Sequence, residues 1–213
     1  MEGALETIRA CRIVAVLRAG EPTYLGTVVD TLVAAGVRAV EIALTTPGAL
    51  PALEACAATA PDTACLGAGT VLTAAEARDA IDAGARYLVT PAVVPEVIAV
   101  GLERSVPVLA GALTPTEIVS AHRMGAAMVK VFPAALGGPA YLRLVRDPLP
   151  DVPLVPTGGV RLDDAADYLA AGAIAVGTGS QLTGDALRGG DLGELAARAE
   201  TLVAAVAAAP RGS

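Results

Sequence analysis

The sequence predicts an α/β protein, a (β/α)8 barrel forming a single domain over residues 1–213, with a short disordered tail near 210–213. Three observations point there. One helix–glycine–strand junction recurs four times, apolar strands alternate with Ala-rich helical stretches throughout, and no Pro/Ser-rich linker or charge block divides the chain. At this length the barrel is near its lower size limit, so its loops must be short.

The junctions are Ala35-Gly36-Val37, Ala83-Gly84-Ala85, Met124-Gly125-Ala126 and Ala171-Gly172-Ala173, each running into a short apolar strand. Glycine suits the position because a helix often ends in a left-handed residue, which costs a side chain without Cβ little. These junctions precede the second, fourth, sixth and eighth strands. Filling in between them gives strands near 13–18, 38–44, 64–69, 86–90, 106–110, 127–132, 152–156 and 173–177. Helices are expected over roughly 22–35, 48–59, 73–83, 94–104, 114–124, 138–147, 162–171 and 192–208. Thr73 followed by Glu76 has capping-box spacing, and Thr114-Pro115-Thr116-Glu117 adds proline at the first helical position. A doubly wound open sheet is the alternative closure of the same units.

Composition narrows the function. A formal charge of −7 argues against a nucleic-acid or anionic-membrane surface, so an anionic ligand must be held locally by amides and a few arginines. Apolar runs break well before the roughly 20 residues of a membrane span. The first residues lack a basic-then-apolar signal pattern, and a cytoplasmic location is expected. Cys11, Cys56 and Cys65 lack CxxC or metal-ligand spacing and read as inert thiols. The one histidine, His122, falls on a helix facing solvent, so neither a His-based triad nor a metal site is expected.

In such barrels the active site gathers at the C-terminal strand ends. Lys130 is the only lysine and lies mid-strand in Ala127-Met128-Val129-Lys130-Val131-Phe132-Pro133, sharing a face with Phe132, the only phenylalanine. Desolvation there penalises the ammonium and favours the neutral, nucleophilic amine. The bland alternative is a lysine snorkelling to the rim or paired structurally. Glu41, inside Val40-Glu41-Ile42-Ala43-Leu44, is costly to bury unless paired, and Lys130 or a bound water is its natural partner. Arg18 ends the first strand and could grip a carboxylate, while Thr70 offers a hydroxyl after Gly67-Ala68-Gly69. Thr157-Gly158-Gly159 and Gly177-Thr178-Gly179-Ser180 follow the last two strands, where amides and helix starts commonly hold phosphate.

The chain resembles the 2-keto-3-deoxy-6-phosphogluconate aldolase family, which includes 4-hydroxy-2-oxoglutarate aldolase and phosphogalactonate relatives. The resemblance spans about residues 5–207 and rests on Ile13-Val14-Ala15-Val16-Leu17-Arg18, Glu41-Ile42-Ala43-Leu44-Thr45, Gly67-Ala68-Gly69-Thr70-Val71, Val129-Lys130-Val131-Phe132-Pro133-Ala134 and Pro156-Thr157-Gly158-Gly159-Val160. It implies a metal-independent class I aldolase acting on a small 2-keto acid, without cofactor, as a homotrimer. It further implies that Lys130 forms the Schiff base and Glu41 shuttles protons, through a water. Arg18, Thr70 and Pro91 would surround the pyruvyl carboxylate, Phe132 would pack on the pyruvyl carbons, and Gly158, Gly159 and Ser180, flanked by Thr157 and Gly179, would hold phosphate. Thr45 departs from members with arginine there, and relatives acting on the galactose epimer have asparagine, which leaves substrate stereochemistry open. A phosphosugar isomerase or epimerase, and a non-enzymatic trimeric scaffold, are the rival expectations on the same barrel.

Overall fold

All four repeated glycines take left-handed backbone, at φ 93° for Gly36, 97° for Gly84 and 96° for Gly125 and Gly172. Each closes its helix the same way. Val37 N–H reaches back to Leu32 O and Gly36 N–H to Val33 O, and the other three junctions repeat both bonds. The chain thereby turns from helix into strand within four or five residues, which is how eight βα units fit this length.

The computed structural model describes residues 2–210; of the tail expected near 210–213, residues 211–213 lie outside them. Eight parallel strands, β1 (Ile13–Leu17), β2 (Ala39–Ala43), β3 (Cys65–Gly69), β4 (Tyr87–Val89), β5 (Val108–Ala112), β6 (Met128–Val131), β7 (Leu154–Pro156) and β8 (Val176–Thr178), pair in sequence order, and β8 returns to pair with β1. A single bridge between Thr157 and Gly177 joins β7 to β8 and closes the ring. Sequential order with closure is a barrel, and a doubly wound sheet, whose order reverses at its centre, is excluded.

Helices α2 (Leu25–Ala34), α3 (Ala49–Thr59), α4 (Ala74–Asp82), α5 (Pro95–Glu103), α6 (Pro115–Arg123), α7 (Gly138–Arg146), α8 (Ala165–Ala170) and α10 (Leu192–Ala208) form the outer ring. Both expected capping boxes, Thr73–Glu76 and Thr114–Glu117, are present. Two α-helices were not expected. Helix α1 (Glu2–Cys11) packs Ala4 and Ile8 against the inward side chains Val14, Ala39, Cys65, Tyr87, Leu109, Met128 and Val155, closing the lower end of the barrel. A one-turn α9 (Ser180–Thr183) follows β8.

The fifth strand lies two residues later than the sequence suggested. Ser105 sits at φ 54° and Val106 N–H caps α5 on Gly101 O, so 105–107 is a turn and pairing begins at Val108. The strand then continues through Gly111, which is needed for a close approach: a Cβ there would lie 2.3 Å from the Pro91 carbonyl carbon. The last strand likewise spans 176–178 rather than 173–177. Among the described residues no helix is long and apolar enough to cross a membrane.

Candidate active site

Parity along the strands decides what enters the barrel. Glu41 on β2 and Lys130 on β6 both point inward from opposite walls, one 1% and the other 7% exposed. Their ends meet across the lumen, Lys130 Nζ standing 3.7 Å from Glu41 Oε1. Phe132, just past β6, turns its ring toward the same amine, 5.5 Å from Nζ to the ring centroid. It is 38% exposed and so forms the open lip of the site.

Room for this meeting comes from missing side chains. Gly69 on β3 lies beneath the Glu41 carboxylate, where a Cβ would stand 1.8 Å from Oε1. Gly158, at φ 87°, lies beneath the Phe132 ring, where a Cβ would stand 2.7 Å from Cδ2. The glycine loop after β7 and the aromatic lip are therefore in direct contact.

Arg18 is exposed at the end of β1 and donates from Nη2 to Thr70 Oγ1 at 3.0 Å. Thr70 holds φ 58°, a region that β-branched residues avoid, so its hydroxyl is aimed at the mouth by a backbone under strain. Val71 N–H to Val89 O and Leu44 N–H to Gly69 O pin that turn between its neighbours. Pro91 follows Thr90, whose buried hydroxyl donates to Ala92 O at 2.6 Å and accepts from Gly111 N–H at 3.1 Å. Thr90 was not singled out from sequence, although its place directly before Pro91 at a strand end was the available signal.

Two expected site residues are placed differently from the rest. Thr157 turns its hydroxyl into the barrel, donating to Val155 O at 3.3 Å, and its side chain fills the space left by Gly177. Its structural work is closure of the ring, leaving Gly158 and Gly159 to face the mouth. Thr45 is exposed on the rim in a separate groove of about 400 Å³, with Leu44, Thr46, Pro47 and Glu76. Gly179 and Ser180 line a pocket of about 320 Å³ together with Arg18, Thr183 and Arg188. The structure thus joins Lys130, Glu41 and Phe132, with Gly158 beneath the Phe132 ring, and links Arg18 both to Thr70 and to the pocket of Gly179 and Ser180. His122 is exposed, and among the described residues no three His, Cys, Asp or Glu side chains gather as a metal site would.

The chain matches one family model, KDPG and KHG aldolase, over residues 5–197. The chain belongs to that family. As such it is an aldolase, a carbon–carbon lyase. It is similar to a probable 2-dehydro-3-deoxy-6-phosphogalactonate aldolase of Rhizobium meliloti, 36% identical over 84% of this chain and 85% of that one. It is also similar to a 2-dehydro-3-deoxy-phosphogluconate aldolase of Pseudomonas aeruginosa, 39% identical over 76% and 74% of the two chains. Among solved structures, KDPG aldolase from Legionella pneumophila, captured with pyruvate as a covalent carbinolamine, superposes with TM-score 0.86 at 29% identity, covering 95% of this aldolase and 98% of that chain.

Proposed function

We propose that this chain is a class I aldolase cleaving 2-keto-3-deoxy-6-phosphogluconate to pyruvate and glyceraldehyde 3-phosphate. The observation that carries the proposal is the inward amine of Lys130, 3.7 Å from the Glu41 carboxylate inside the barrel. Lys130 attacks the C2 carbonyl, and loss of water leaves a protonated imine. Glu41, relaying through a water, takes the C4 hydroxyl proton as the C3–C4 bond breaks, and the bonding pair moves onto the imine as an enamine. Glyceraldehyde 3-phosphate leaves, C3 takes a proton, and hydrolysis frees pyruvate and the lysine. Arg18, Thr70 and Pro91 hold the carboxylate, Phe132 covers the pyruvyl carbons, and Gly158, Gly159 and Ser180 receive the phosphate. The covalent pyruvate adduct named for the Legionella relative supports an imine route.

In the same proposal the enzyme is cytoplasmic, needs no metal and works as a homotrimer; the exposed Leu72, Leu102, Met124, Leu136 and Leu144 support association. Its mass in solution should be three times the 21.1 kDa of one chain. The decisive test is borohydride reduction with pyruvate, which should add one label per chain, at Lys130; no label would end the proposal. The similarity to a phosphogalactonate enzyme favours a second substrate, so pyruvate release should be assayed on both epimers, the one with the higher kcat/KM being assigned.

A further inference from the structure

Below the reacting pair lies a second buried polar group that the proposed chemistry leaves unused. Tyr87 points inward from β4 and is fully buried. Its register partner on β3 is Gly67, and the register partner of Gly67 on β2 is Glu41, so the three stand at one level across adjacent strands. The Tyr87 ring leans over that glycine, since a Cβ on Gly67 would lie 2.5 Å from Cζ. The hydroxyl on Cζ is therefore directed past β3 toward the stem of Glu41, whose carboxylate rises one level to lie over Gly69. Both Tyr87 Oη and Glu41 Oε1 are buried without a protein hydrogen-bond partner. A single water bonding both oxygens would bridge a gap of up to roughly 5.6 Å, two hydrogen bonds of roughly 2.8 Å each.

We propose that Tyr87 is a positioning residue that donates, through one enclosed water, to the Glu41 carboxylate and holds it in the orientation that serves Lys130. The inference rests on the reading of Glu41 as the proton shuttle. Burial, with Cys65 and then Glu41 nearby, pushes the Tyr87 hydroxyl well above its ordinary range, so it remains a donor wherever the enzyme works. The ionisable groups facing this level are Cys65 from β3, Cys11 from α1, Glu41 from β2 and, above it, Lys130 from β6. Both thiols are raised by their own burial and stay neutral.

Tyr87→Phe keeps the ring and removes only the donor. The measurement is exchange of the methyl deuterons of deuterated pyruvate for solvent protons, with turnover, borohydride trapping and melting temperature measured alongside. Exchange and kcat should fall about tenfold with KM unchanged, the loss expected when one hydrogen bond to a charged group goes. Tm should not fall. If the wild-type chain traps pyruvate and Tyr87→Phe exchanges at the wild-type rate, the role of Tyr87 is wrong while the aldolase reading stands. If the wild-type chain fails to trap pyruvate, that reading falls and takes this inference with it.

Discussion

Gly69→Ala should separate the fold from the chemistry. The added methyl would stand 1.8 Å from Glu41 Oε1, 2.4 Å from Cδ and 2.5 Å from Cγ, all below any tolerable contact. Something must move, and β3 is the harder partner to displace. Gly69 O accepts from Leu44 N–H at 2.8 Å, and Gly69 pairs with Ala43 in the ladder. The Glu41 side chain is the softer element, and its displacement carries the carboxylate away from an amine already at 3.7 Å. Overpacking of this kind costs about 1–3 kcal/mol. For a chain of this size that lowers Tm by roughly 2–12 °C, at about 2–4 °C per kcal/mol. The catalytic loss is larger, because a misplaced general base forfeits about 10²–10⁴ in kcat. Pyruvate release coupled to lactate dehydrogenase measures one effect and thermal melting the other.

The control is the same substitution in a Glu41→Ala background, where the methyl meets no carboxylate. Gly69→Ala should then change kcat little, because two changes acting on one group do not add. Retention of more than half the wild-type kcat by the single variant would refute the reasoning. So would an equal loss in both backgrounds.

Other outcomes follow from particular residues. Thr70→Gly relieves a β-branched residue at φ 58° but removes the hydroxyl that Arg18 donates to, so Tm should hold or rise while KM rises several-fold; an unchanged KM would remove Thr70 from the binding site. Glu117 is held below its usual range of 4.5 chiefly by the Thr114 amide, then by the Leu113 amide and the Thr114 hydroxyl. Its contribution is thus present above the unfolded value and lost as pH falls through the folded one. The Tm gap between wild type and Glu117→Ala should be open at neutral pH and close as pH drops below 4.5, and a gap independent of pH would contradict the capping account. Burial pushes the Cys65 thiol up to about 11 and raises Cys11 and Cys56. Native protein near pH 8 should resist thiol reagents that label all three free cysteines in denaturant, and rapid native labelling would count against this packing.

How much was legible in the sequence depended on whether a residue's cause was local. The helix-ending glycines were readable because a left-handed turn is a property of a few neighbouring residues. Lys130 and Glu41 stood out because a charge within an apolar strand is anomalous wherever it occurs. Helix α1 was not readable, since its partners, from Val14 to Val155, are scattered over the chain and only barrel closure collects them. Gly111 reads locally as a strand terminator, and only the approach of Pro91, just past the preceding strand, explains its place inside β5. Thr157 shows the same limit on a finer scale. Its position at the end of β7 was evident, but whether its hydroxyl faces the mouth or the barrel depends on pairing with Gly177.

The placement of the reacting pair follows from the size of the lumen. In an eight-stranded ring β2 and β6 lie four strands apart, diametrically opposed, so Glu41 and Lys130 can meet only by reaching across the whole interior. An eight-stranded barrel is normally filled by layers of branched side chains, which would block that path. Here the inward positions of the intervening strands are emptied, by Gly67 and Gly69 on β3 and by Gly111 on β5. The hollow created on the β3 side is filled by the Tyr87 ring and the Glu41 carboxylate, and that on the β5 side by the Pro91 backbone. Two extended side chains can then touch in a desolvated space without leaving a large void. The scarcity of bulky inward residues at this level is accordingly part of the active site, as much as the amine and the acid are.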